Sequence, residues 1–531
     1  MRIQVETAAE TVADFYKNGE ILLTGGTGFM GKLMIDKILR SFPDINNIYL
    51  MVRNKRGLTP EERVEKIFKT AIFDPLNREV PDFRSKIKLI PADIESENLG
   101  LSPENKKLLL SKVNIVFHCA ASVRFDEELQ IGVKTNLYAT SQMLNLAKQC
   151  PHLKMFIYVS TAFSHFKMRT NVEEKLYKPD SSYRELIQVL KLSPNDPELK
   201  QLKKKYSKEN ANTYCLTKAA SEELLSEEGR SYPVCIFRPS IVISTAKDPI
   251  PGWIDNLYGP TGLVCGAQAG IIRSVLADPD VKADIVPVDF VANALVCAPW
   301  DARQRYQKDN SSMPVYNYVS SKDNPITWSD FSIKSQMAQL RNPSSQGLWH
   351  CFVLLTRHRT IYCLHNLLLH YLFGYIFDTC AWISGNKFRL LPIYDKMGKV
   401  VSALEPFSTK EWIFDNHNVQ HMWNQLSPFE QNQFPFNIES LNWDDYLDKY
   451  VQGLLVHHLN DKMDLETRKK AKKRYKRLTI AHQCVKSLLY VSVVLLIWSL
   501  LNYILWRFKD SYISYLNTRF PHLRSKVTPV E

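Results

Sequence analysis

The first twenty residues hold no apolar core of the kind a signal peptide needs, so entry of the bulk of the chain into a secretory lumen is not expected. The ten cysteines lack framework spacing, which argues against a disulfide scaffold and agrees with a reducing compartment. No His/Cys cluster has metal-ligand spacing, so no metal is expected. Internal repeats are missing as well. Across 531 residues these absences leave a large core-forming chain of more than one domain.

Charge is plentiful but unevenly placed. Of the net +13, eight cations fall between Arg468 and Arg477, just before the longest apolar run, Ser487 to Trp506. Those 20 residues carry no ionisable side chain except tyrosine. At about 1.5 Å per residue they reach roughly 30 Å, the thickness of a bilayer core. Tyr503 and Trp506 sit where an interfacial aromatic belt belongs. Arg468 to Lys486 carries nine Lys/Arg against five from Arg507 to Glu531, so the positive-inside rule keeps the N-terminal bulk cytosolic. Beside a membrane the basic run suits anionic lipid headgroups, and nucleic acid is not an expected partner. A second apolar stretch, Ile361 to Ile383, contains His365, Asn366, His370 and Asp378, which are costly within lipid. It reads as an interfacial helix or the wall of an acyl pocket.

β runs near residues 20, 48, 87, 113 (Val113 to His118) and 155 (Met155 to Val159) alternate with helical patterns, and a sixth covers Val234 to Phe237. This predicts an α/β fold with a doubly wound parallel sheet. A Lys-rich stretch from Lys167 to Ser207 reads as a surface excursion. The expected divisions are a reductase domain (1–340), a linker (341–348), the apolar segment (349–384), a helical aromatic-rich domain (385–485), the transmembrane helix (487–506) and a short tail (507–531).

Ile21-Leu22-Leu23-Thr24 enters Gly25-x-x-Gly28-x-x-Gly31, and an amphipathic helix leaves it. Glycines let such a turn approach a pyrophosphate, and the helix N-terminus offers N–H groups to the phosphates. NAD-binding sheets usually carry an acid after the second strand to bond the ribose 2′-hydroxyl. Here that place holds Arg53, Lys55 and Arg56, which suit a 2′-phosphate, so NADPH is the expected cofactor. Asp93, after the third strand, is read either as an acceptor for the adenine amino group or as a turn residue.

Tyr214-x-x-x-Lys218 lies in a helical context, with both side chains on one face. The ammonium is expected to lower the tyrosine pKa from about 10. Such a tyrosine passes a proton to a carbonyl oxygen as hydride arrives at carbon. A hydroxyl at the end of the fifth strand, Thr161 with Ser160 as the alternative, is expected to bond the substrate oxygen. Cys119 and Cys215 read as packing residues, His118 as structural, and Asp289 as a helix N-cap.

These segments, with Val116-Phe117-His118-Cys119-Ala120-Ala121-Ser122, Arg238-Pro239-Ser240, Gly252-Trp253-Ile254-Asp255-Asn256 and Trp412-x-Phe414-Asp415-Asn416, give the chain a family likeness. It resembles the extended short-chain dehydrogenase/reductase superfamily, and within it the alcohol-forming fatty acyl-coenzyme A reductases of the animal type. The resemblance implies a Rossmann-type sheet, a smaller helical C-terminal domain and a C-terminal transmembrane helix. It further implies NADPH-dependent reduction of a fatty acyl-CoA to a primary alcohol through an aldehyde, with CoA released. The implied cofactor shell comprises Thr24, Gly25, Thr27, Gly28, Phe29, Gly31, Arg53, Lys55, Asp93, Ile94, Ala120, Tyr214 and Lys218. Trp253, Asp255 and Asn256 would form a substrate loop. Ala246-Lys247-Asp248 departs from the family, which tends to place a tryptophan and a glutamate there. The expected setting is a single-pass membrane protein of the endoplasmic reticulum or peroxisome, although Thr528-Pro529-Val530-Glu531 is not a Ser-Lys-Leu type of address. A membrane-anchored hydroxysteroid dehydrogenase and a non-catalytic NADPH-binding scaffold are the competing readings.

Overall fold

The structure, a computed structural model, describes residues 10–165, 171–179, 181–209 and 212–519. Seven parallel strands build the main sheet: β1 (Glu20–Thr24), β2 (Asn47–Val52), β3 (Ile87–Pro91), β4 (Ile115–His118), β5 (Met155–Val159), β6 (Val234–Pro239) and β7 (Val315–Tyr318). Their spatial order is β7-β6-β5-β4-β1-β2-β3. In β1, β4, β5, β6 and β7 every residue is buried, as expected where helices cover both faces of a parallel sheet. The chain leaves β1 toward β2 on one side and returns as β4 on the other. That reversal opens a crevice beyond the carboxyl ends of β1 and β4, where ligands of such sheets bind.

The structure extends the sequence reading at several points. β6 continues to Pro239, and β7 adds a strand beside it, in register with Ile236 to Pro239. Val113 ends the preceding helix instead of opening β4, its N–H bonded to Leu109 O. Of the Lys-rich stretch, residues 166–170 and 180 lie outside the described residues. The rest is not wholly a surface excursion. It forms the helices Tyr183–Gln188 and Pro197–Glu209, which bury Leu186, Leu199 and Tyr206 against Leu216 and Leu224. The helix is amphipathic, so Lys204 and Lys205 face water while its apolar side completes the core.

One core joins the sheet to the C-terminal helices. Phe42 stacks on Phe434 at 5.6 Å, Tyr318 OH donates to Phe436 O, and Val12 N donates to Glu430 Oε1 at 2.9 Å. The helices Trp328–Arg341 and Trp443–His457 pack side by side. Between Gly252 and Gly453 the backbones touch so closely that a Cβ on Gly453 would lie inside the carbonyl of Gly252. Residues 341–348 run packed along this region: Asn342 Nδ2 donates to Asp448, and Ser345 N to Asp461 at 2.8 Å. A last helix, Leu465–Arg519, follows the body as far as His482 and then leaves it. Among the described residues it is the helix long and apolar enough to cross a membrane. Residues 520–531 of the expected tail lie outside the described residues.

Candidate active site

Gly25 takes a φ of +76°, and a Cβ there would lie 2.7 Å from Ala120 N. A Cβ on Gly31 would lie 2.3 Å from Gly25 O, so the turn and the helix Phe29–Ser41 meet backbone to backbone. Thr24 Oγ1 lies 2.8 Å from His118 Nδ1 and accepts from Ala120 N, which fixes β1 to the loop after β4. Burial pushes the His118 pKa down to about 3, and its ring stays neutral between Thr24 and Thr140. The crevice above is lined by Thr24, Gly25, Thr27, Gly28, Arg53, Lys55, Ile94 and Ala120, all named from sequence, and also by Glu95, Thr135 and Arg63. A glycine cradle at a helix N-terminus, with cations along one wall, fits a nicotinamide dinucleotide.

Arg63 is the residue that sequence reading missed. It donates to Thr27 Oγ1 at 3.0 Å and to Arg53 O at 2.6 Å. Burial, then the charge of Arg53, lowers its pKa, and Lys55 is lowered in the same way. Three like charges are thus held together beside the crevice. Arg53 itself is turned toward Glu95 (2.8 Å) and Asp93 (3.4 Å). The Asp93 carboxylate also accepts from Glu95 N, the turn role that was one of its two readings. Phe29 stacks on Trp253 at 5.3 Å.

Asn212 caps the helix Thr213–Glu228 by accepting from Cys215 N, and Tyr214 lies in the first turn. The Thr161 hydroxyl stands near the Tyr214 phenol, close enough to act on its pKa. Lys218 Nζ donates to Val159 O at 2.6 Å and lies 6.0 Å from the Tyr214 ring centre. Thr161, Tyr214 and Lys218 are therefore brought together. The phenol does not behave as the sequence predicted: burial raises its pKa, the nearby Thr161 hydroxyl only opposes this, and the ammonium stands too far off to reverse it. Tyr214 is held as a proton donor. Burial lowers Lys218 to about 8, and raises the Cys119 and Cys215 thiols to about 12, keeping both protonated.

Ser160 points the other way. Its hydroxyl donates to Glu222 Oε1 at 2.5 Å, within a buried cluster where Glu222 also accepts from Ser164, His165 and Arg238. Neither Glu222 nor Arg238 has an exposed side-chain atom. Burial opposes the Glu222 charge, but Arg238 and His165 outweigh it and hold the carboxyl well below its usual range. Successive residues leave β5 on opposite faces, so one hydroxyl meets Tyr214 and the other this cluster.

The loop after Ile241–Ile243 is held from beneath. Asp289 accepts from the backbone N–H groups of Ala246, Lys247 and Asp248, so it caps this loop and not its own helix, whose N-cap is Pro287. The three residues that depart from the family are thus gripped through main chain, whatever their side chains. Trp253 is 4% exposed and packs in the core, whereas Asp255 pairs with Lys32 at 2.5 Å and Asn256 bonds Asp255 and Tyr258 N. The loop closes over the start of the glycine-turn helix.

Beyond Tyr214 lies a narrow apolar cavity of about 80 Å³. Ile241 and Phe407 form the end nearer Tyr214: Phe407 stacks on Phe125 at 5.3 Å, and Phe125 lies 6.1 Å from the Tyr214 ring. Val264, Phe331, Val353 and Val401 continue the wall. Gln336 and Gln339 also border it, but their amides are bonded to Val353 N and Val264 O.

Comparison with known proteins places these features in context. Residues 23–295 and 369–461 match two family models described as male sterility protein. Fatty acyl-CoA reductase 1 of Mus musculus is 35% identical over 453 residues, covering 85% of this chain and 87% of the relative. Fatty acyl-CoA reductase wat of Drosophila melanogaster is 34% identical over 489 residues, covering 92% and 93%. Among solved structures, the terminal R domain of the myxalamid biosynthetic pathway superposes with a TM-score of 0.54 at 19% identity, covering 83% of this chain and 91% of that one. A reductase domain of a nonribosomal peptide synthetase from Mycobacterium tuberculosis gives 0.53 at 18%, covering 82% and 91%. These two share the fold.

Proposed function

The chain belongs to the fatty acyl-CoA reductases, and from that membership we propose that it converts a long-chain fatty acyl-CoA to the primary alcohol, with NADPH as reductant. The observation that carries this reading is the placing of Thr161 and Tyr214 between a glycine-lined crevice and an apolar cavity. Bound NADPH supplies the hydride for each of two reductions. Thr161 and Tyr214 hold the thioester oxygen, and Tyr214 gives it a proton as charge builds there. Collapse of the resulting hemithioacetal expels CoA as its thiol and leaves the aldehyde, whose oxygen occupies the same pair for the second reduction. Lys218, anchored on Val159 O, keeps a positive charge near the phenol as its proton leaves. The apolar cavity takes the acyl chain.

Detergent-solubilised protein with NADPH and C12 to C24 acyl-CoAs is expected to yield alcohol, with two NADPH oxidised per thiol released. Turnover without thiol release would instead fit a hydroxysteroid-type dehydrogenase. The expected setting is a single membrane crossing by Leu465–Arg519, with the catalytic body on the cytosolic side.

The cation cluster supplies the preference for NADPH. Loss of Arg63 as Arg63→Ala is expected to raise KM for NADPH by about 10–100-fold, the value of a charged hydrogen bond, and to leave KM for NADH nearly unchanged. Steady-state kinetics with both cofactors measures this. Lys218 gives the pH profile: its ammonium persists below a pKa of about 8 and is lost above it. The kcat/KM is therefore expected to fall as pH rises through about 8, and the much slower Lys218→Met variant should lack that limb.

A further inference from the structure

The apolar stretch from Ile361 to Ile383 has no part in the chemistry above. It forms an unbroken helical arm from Arg359 to Ile383 that turns at Ser384-Gly385 and returns as the helix Leu391–Ser408. The polar residues that make the segment expensive in lipid all face the protein. His370 Nε2 accepts from Arg273 N at 2.9 Å, and its Nδ1 lies 2.7 Å from Asn366 Oδ1. His365 meets Ser274 Oγ, and Asp378 accepts from the N–H groups of Leu390 and Leu391, which closes the hairpin. The opposite face is a stripe of Ile361, Leu364, Leu368, Leu372, Ile376 and Ile383, all exposed. Exposed apolar surface of this extent marks an interaction site.

The occupant is indicated by the neighbouring helix. Trp349 donates to His482 Nδ1 at 3.2 Å and packs on Phe373 of the arm at 5.8 Å. His482 is where Leu465–Arg519 parts from the body, five residues before its apolar run begins at Ser487. The arm thus lies at the level at which that helix enters lipid, with the Arg468–Arg477 cations on the other side of the junction. We propose that the arm Arg359–Ile383 lies in the membrane leaflet that Leu465–Arg519 crosses, its apolar stripe among the acyl chains, without itself spanning. Tyr362 and Val401 of the same hairpin pack with Leu276 and Leu263 of the apolar cavity, so the immersed arm borders the cavity wall. Acyl substrate and alcohol product then pass between cavity and bilayer without crossing water.

Cys380 stands four residues beyond Ile376 on the stripe and is exposed, as are Cys363 and Cys484. The test uses the full chain with Cys363→Ser and Cys484→Ser, labelled with a nitroxide and reconstituted in phosphatidylcholine/phosphatidylserine vesicles. Power saturation is expected to show the label reached by oxygen and shielded from an aqueous nickel chelate. A label at exposed Lys204→Cys, with Cys380 also made serine, gives the aqueous reference. Equal access of the nickel chelate at the two positions would overturn the proposal. Exclusion of both colliders would also overturn it, since a protein partner would then cover the stripe. Neither reading depends on turnover, so failure here is distinct from failure of the proposed reaction. As a second measurement, Leu368→Lys/Ile376→Lys should keep its rate on acyl-CoA in detergent micelles and lose at least about tenfold on vesicle-borne acyl-CoA.

Discussion

Tyr214→Phe lowers CoA release from acyl-CoA by about 10²–10⁴-fold, the usual contribution of a positioned acid, in protein that remains folded and still binds NADPH. The substitution removes one oxygen and keeps the ring, which packs near Phe125 and inside the Phe407 cluster. The structural loss is confined to the contact of that oxygen with the Thr161 hydroxyl, at most about 1 kcal/mol. A large fall in kcat with a near-wild-type melting temperature therefore reports proton transfer and not packing. Burial favours this role, because a phenol with a raised pKa is fully protonated at neutral pH. Cys119→Ala and Cys215→Ser supply the control. Their thiols stay protonated, so both variants are expected to retain most activity. If thiol release fell equally in all three, the acid would not be Tyr214.

Glu222→Ala is the substitution expected to damage stability most. It strands the Arg238 guanidinium, wholly buried, without its carboxylate partner, and breaking such a pair costs about 3–5 kcal/mol. The urea midpoint measures this. Glu222→Leu/Arg238→Met is expected to recover much of the loss, because no uncompensated charge remains. The sign with pH is fixed by the depressed carboxyl. A folded-state pKa below the unfolded value means the stabilisation is complete above the ordinary carboxylate range and disappears only in stronger acid. The single variant should thus lose its deficit relative to the parent only at very low pH. Since Glu222 also holds Ser160 and Ser164 on either side of Thr161, residual activity should fall further than the loss of folded protein explains.

What could be read from sequence was what is local. The glycine turn, the buried strands and the Tyr214–Lys218 spacing each depend on neighbours within a few positions, so their residue types carry the signal. Arg63 reaches Thr27 from 36 positions away on a separate helix, and no nearby pattern marks it. Ser160 and Thr161 are chemically alike, and only the strand's alternation against Glu222 separates them. Asp289 sits where an N-cap would, but its carboxylate reaches the chain more than forty residues upstream. The apolar cavity draws its walls from distant segments, including Ile241, Phe331, Val353 and Val401. The Lys-rich stretch shows the reverse error: its charge dominated the composition, while a few apolar residues decided where it packs.

The bond from Val12 to Glu430 ties together positions 418 residues apart. A ribosome adding about 5–20 residues per second needs roughly 20–80 s to travel between them. For that time the sheet can assemble while Phe42 awaits Phe434 and the N-terminal helix awaits its acceptor. The nascent chain therefore keeps a half-closed apolar surface exposed for that interval, before the helix Leu465–Arg519 emerges.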